Sequence, residues 1–76
     1  MFASLNNMKT KKQQLIEKPL DYASEDHFLS TFFSEKLGLF YLMFNGGLFT
    51  YKTWNGFLNK RTYFIEKYNL TEYENN

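Results

Sequence analysis

The hydrophobic pattern centres on one charge-free run, Leu37 to Tyr51 (LGLFYLMFNGGLFTY), held between Lys36 and Lys52 and interrupted only by Asn45-Gly46-Gly47. Before it, Ser24 is an N-cap candidate, with Glu25 and Asp26 placed where carboxylates favour the positive end of a helix. His27 takes the position a capping-box glutamate would hold. Phe28, Phe32, Glu35 and Leu39 then fall on one helical face, and Leu29, Phe33, Lys36 and Phe40 on another, predicting a helix from Ser24 to Lys36. Pro19 ends any helix begun near Lys11 and pushes Lys18 toward extended backbone. Beyond Asn55-Gly56, the residues Phe57, Leu58, Arg61, Phe64, Ile65 and Tyr68 recur at helical spacing and predict an amphipathic segment.

The central run supports two readings. As a helix it continues the one begun at Ser24 and is apolar all round. Its 15 residues would measure about 22 Å, short of the roughly 30 Å hydrocarbon core. Snorkelling by Lys36 and Lys52 and the apolar groups on either side extend the span to about residues 32–54. Phe32, Phe33, Lys36, Tyr51, Lys52 and Trp54 would then anchor its interfaces. Gly46 and Thr50 form a small-xxx-small pair, and Asn45, Gly46, Gly47 and Thr50 become the contact face for a neighbouring helix. As strands, Leu39–Phe44 would pair with residues 47–54 across Asn45-Gly46, a type I′ turn signal, and Asn55-Gly56 would start a third strand. Against strands stands the missing alternation: Leu39 to Phe44 presents no polar face, whereas a small antiparallel sheet is expected to keep one face wet.

Composition narrows the chemistry. At 76 residues the chain is one domain at most, burying roughly 60% of its unfolded surface, so a partner or a bilayer is the expected staple. With no cysteine and one histidine, disulfides, thiolate zinc sites and His-rich metal sites are out. A net charge of +1 is no argument for nucleic acid, and the densest aromatic stretch carries no base, against a stacking groove. Met1 to Gln14 is basic but polar, unlike a secretory signal. The Lys9-Thr10-Lys11-Lys12 cluster reads as solvated tail unless a membrane gives it an anionic surface. His27 reads as an exposed helix-start residue, since no Ser or Cys is tied to it by spacing. Asp21 and Glu25, four apart, read as an acidic first turn rather than a catalytic pair. The sequon Asn69-Leu70-Thr71 has no secretory signal behind it.

The stretch from Phe28 to about Asn55 resembles the small single-span subunit nine family of mitochondrial ubiquinol–cytochrome c reductase. The resemblance rests on Thr31-Phe32-Phe33 before the span, Met43-Phe44-Asn45-Gly46-Gly47-Leu48-Phe49 within it, Trp54-Asn55 at its close, and the aromatic, basic segment from Tyr63 to Tyr73. Here Ser34-Glu35-Lys36 stands where the family has bases, Asn55 replaces its Asp, and Met1 to Ala23 has no counterpart. The resemblance implies a non-catalytic accessory subunit of the mitochondrial inner membrane, N-terminus toward the matrix, without haem, quinone or metal. Its partners would be the bilayer and the other subunits of a respiratory complex, with no nucleic acid and no small-molecule substrate.

The expected fold is therefore all-α: a polar basic extension over 1–23, a long helix over 24–54 containing a single transmembrane span, and an amphipathic segment with a polar tail over 55–76. Accessory subunits of respiratory complex I, complex IV or ATP synthase fit the same pattern. The alternative from a different class is a small soluble α+β protein-interaction module or inhibitor, with its helix over Ser24 to Lys36 packed on a meander turning at Asn45-Gly46 and Asn55-Gly56.

Overall fold

A computed structural model gives the fold, and residues 10–73 are described. The elements are α1 (Lys11–Glu17), β1 (Leu20–Ala23), β2 (Phe28–Ser34), β3 (Leu39–Phe44), β4 (Gly47–Tyr51), α2 (Trp54–Tyr68) and β5 (Thr71–Tyr73). The strands make one antiparallel sheet in the order β4-β3-β2-β1-β5. This α+β arrangement replaces the all-α fold expected from the hydrophobic run.

The long helix over 24–54 is not formed. Its residues make β2, β3 and β4, and among the described residues no helix is long and apolar enough to cross a membrane. The single-span accessory-subunit reading and its inner-membrane placement are overturned with it. Two physical reasons stand out. Asn45 and Gly46 take φ of 46° and 93°, the left-handed pair that a two-residue type I′ hairpin requires and a helix cannot contain. The stretch 28–34 holds three Phe and a Thr, residue types that favour a pleated surface. Its recurring pairs, Phe28/Phe32 and Leu29/Phe33, lie four apart, a spacing that keeps two residues on one face in a helix and in a strand alike.

Alternation sorts the strands. Leu20 and Tyr22, Leu29 and Thr31, Phe40 and Leu42 point inward and are buried, and the register sets Thr31 between Leu20 and Leu42 and Tyr22 opposite Leu29. Both helices cover this inner face: α1 contributes Leu15, α2 contributes Phe57 and Phe64, and Leu70 closes the end of the core. Thr31, fully buried, donates its hydroxyl to the Leu20 carbonyl at 2.6 Å, which satisfies that buried hydroxyl.

Local chemistry sets the helix ends. Thr10 and Gln13 form a reciprocal capping box, with the Gln13 amide donating to Thr10 Oγ1 and the Thr10 amide donating to Gln13 Oε1. α1 stops at Glu17, just ahead of Pro19. Thr53 caps α2 by accepting from the Gly56 amide, and Asn69 ends it in the left-handed conformation. The helical spacing of Phe57, Phe64, Ile65 and Tyr68 corresponds to α2, so Asn55-Gly56 lies inside its first turn and starts no strand.

Candidate interaction surface

With both helices on one side, no other element among the described residues lies over the opposite face of the sheet. Its strand positions are Asp21 and Ala23, Phe28 to Ser34 in steps of two, Leu39 to Met43 in steps of two, Leu48 and Thr50, and Thr71 and Tyr73. A solvated sheet face is ordinarily polar. This one leaves Phe28 (44%), Met43 (39%), Leu48 (56%) and Tyr73 (49%) exposed. Phe32 and Tyr41, paired across β2 and β3, stack at 4.7 Å and 3°, an arrangement worth about 0.5–1.5 kcal/mol beyond burial. Phe28 and Tyr73 meet edge to face at 6.1 Å over the small Ala23. Asp21 is the one charged residue among these positions, and its carboxylate accepts from the Ser30 hydroxyl at 2.9 Å. The missing alternation in Leu39–Phe44 is thus real. The strand is apolar on its inner side because helices cover it, and apolar on its outer side, where none of the described elements covers it.

The residues singled out for membrane packing part company. Asn45 and Gly46 form the β3–β4 turn, and Asn45 ties it to β2: its amide donates to the Phe28 carbonyl and its Oδ1 accepts from the Phe28 amide. Gly47 opens β4. Phe32 and Thr50 lie on the outer face on either side of Tyr41. Phe33 and Tyr51 face inward, each opposite Phe40. Trp54 opens α2 and packs against Phe40 and Phe57. Lys36 and Lys52 are exposed in turns. The fold therefore puts Phe32 and Thr50 on the outer face, gathers Phe33, Tyr51 and Trp54 about Phe40 on the inner one, and leaves Asn45, Gly46 and Gly47 at the hairpin turn. Sequence reading missed Phe28, Tyr41, Met43, Leu48 and Tyr73 as site residues, although the failed alternation in Leu39–Phe44 was a signal for Tyr41 and Met43.

The remaining candidates find structural roles. His27 lies in the β1–β2 connection rather than at a helix start, with its ring 4.4 Å from Tyr68 and 5.7 Å from Phe44. Asp21 and Glu25 are separated, one on β1 and the other in the following turn. Of the basic cluster, Thr10 is a cap and Lys11 pairs with Glu72 at 3.0 Å; Lys9 lies outside the described residues. Asn69, first residue of the sequon, is the α2 C-cap, and Leu70 is buried.

A cationic ledge runs along α2 beside β4. The Lys60 ammonium stands 5.1–5.4 Å from the rings of Phe49, Tyr63 and Phe64. Lys67 donates to the Tyr63 hydroxyl at 2.9 Å. That hydrogen bond, helped by the Lys67 charge, holds the Tyr63 phenol below its ordinary value and raises the Lys67 ammonium above its own. On the inner side Arg61 donates to the Tyr22 hydroxyl at 3.0 Å, its guanidinium lying over the Tyr22 ring. Among the described residues no three His, Cys, Asp or Glu side chains are grouped to hold a metal ion. Comparison with protein families, with characterised proteins and with solved structures finds no match.

Proposed function

We propose that this chain is a small non-catalytic protein-interaction module that works through the outer face of its sheet. The carrying observation is that face: a nearly charge-free apolar surface on a domain that has already covered its other side with two helices. Four side chains there are 39–56% exposed, leaving roughly 400 Å² of large apolar side chain open if each presents about 200 Å² in full. With the half-buried Phe32, Leu39 and Tyr41 the patch reaches the upper range for a monomer surface, where patches mark interaction sites. The lack of any base on the face speaks against nucleic acid as the partner, since stacking aromatics need a cationic track beside them.

Photo-crosslinking in the source cell tests this. A photoreactive amino acid placed at Tyr41 or Leu48 should give discrete protein adducts. The same residue at Asn59, exposed on α2, should give none. Equal labelling from the helix, or no adduct from the outer face, would refute the module.

A further inference from the structure

We infer that the occupant of the outer face is a second copy of this chain, packed sheet to sheet about a twofold axis; the inference rests on the interaction-module reading above. Area gives the first argument. The apolar patch and its polar surround (Ser30, Ser34, Thr50) together present about 600 Å², so two copies would remove roughly 1,200 Å² from water, the lower bound for a stable specific interface. Charge gives the second. A twofold axis brings every charge near its own image, and the described strand positions of this face hold one charge, Asp21, already engaged by Ser30. A surface so neutral is compatible with itself, whereas a charged partner would find nothing there to pair with.

Shape gives the third. The β3–β4 half is bulky, with Tyr41, Met43 and Leu48; the other half is low along β1, at Asp21 and Ala23, and rises again at Tyr73 on β5, which meets Phe28. With the axis along β2, β3 of each copy lies over β1 of the other, so Tyr41 and Met43 meet the low strand, and the sheets stack in aligned fashion. The competing geometry, edge pairing of β4 with its image, is disfavoured. β4 offers an uncharged edge, but Lys60 reaches over Phe49 at its centre. Antiparallel pairing about Phe49 would draw two Lys60 ammoniums together, the kind of charge that guards an edge strand.

Sedimentation and light scattering of the full chain, from micromolar to near-millimolar concentration, test this. The expected result is a monomer–dimer equilibrium that stops at two. Leu48→Lys should weaken it at least about tenfold, as for a central anchor, and Asp21→Asn should tighten it several-fold by removing the one charge that dimerisation desolvates. Opposite signs cannot both come from loss of fold, and circular dichroism of each variant should be unchanged. Amide exchange in the dimer should leave the outward-pointing amides of β4 unprotected. A monomer throughout, growth beyond two, protected β4 amides, or indifference to both substitutions would overturn the proposal. If the chain is monomeric while Tyr41 and Leu48 still crosslink to another protein, only the self-association fails. If those positions crosslink to nothing, the module reading fails as well.

Discussion

Alanine of either hand at position 46 separates backbone from packing more cleanly than any other change in this fold. Gly46 has φ of 93°, and a Cβ built there meets nothing within 4 Å. Steric contact therefore adds nothing, and the cost of L-alanine is the cost of holding an L-residue in the left-handed region, about 1–2 kcal/mol. D-alanine prefers that region and narrows the unfolded ensemble, so it should stabilise by about 0.4–1 kcal/mol, as favourable Gly→Ala changes do. The two enantiomers should thus differ by about 2 kcal/mol. At 4–8 °C per kcal/mol for a domain of this size, that is a gap of roughly 8–16 °C in Tm. The chain is short enough for chemical synthesis, and urea and thermal unfolding followed by circular dichroism read the difference directly. Equal stability of the two enantiomers would refute the type I′ turn. Greater stability with L-alanine would point to a helical conformation at this position.

Three further outcomes follow from the core and the ledge. Phe57→Ala removes a fully buried ring that packs on Phe40 and Trp54; it should destabilise by about 3–5 kcal/mol in denaturant titration, a large part of the ~4–11 kcal/mol expected for a chain of this length. Thr31→Val keeps the shape but removes the buried hydroxyl's hydrogen bond to the Leu20 carbonyl, so it should lower stability by about 1 kcal/mol while leaving the strand content intact. In an alkaline titration followed by tyrosinate absorbance, Tyr63 should ionise at lower pH than an ordinary tyrosine. Lys67→Ala should move it back up toward 10.0, because the hydrogen bond and positive charge that favour the phenolate are gone.

The parts of the fold legible in the sequence are those where a local signal has one structural meaning. Asn45-Gly46 falls short of that: it reads as a hairpin turn and as a helix-contact face alike, and the left-handed pair in the structure decides for the hairpin. The spacing of Phe57, Phe64 and Tyr68 has no strand equivalent and marks α2. Elsewhere the signal was degenerate. The Phe28/Phe32 and Leu29/Phe33 pairs fit both periods, and only their neighbours decide that Leu29 and Thr31 are buried while Phe28 is not. Thr10 and Gln13 carry a capping box, but it opens a helix of one apolar contact, Leu15, too brief for periodicity to reveal. The candidate surface was visible only as an anomaly. An unbroken apolar strand means a bilayer, a fully buried strand or a face reserved for a partner, and composition alone does not choose among them.

The order in which β1 gains its neighbours bears on how the chain is made. The β2–β3–β4 meander joins segments adjacent in sequence and can form as soon as Tyr51 has left the ribosome. The second neighbour of β1 is β5, and Ala23 must wait for Thr71. During synthesis β1 is therefore the margin of a growing sheet, with unpaired backbone groups open to any passing strand. Asp21, at the middle of that margin, puts a carboxylate where a foreign apolar strand would try to dock. A nascent chain stalled ahead of Thr71 would be shielded from misassembly by this single side chain until the last strand arrives.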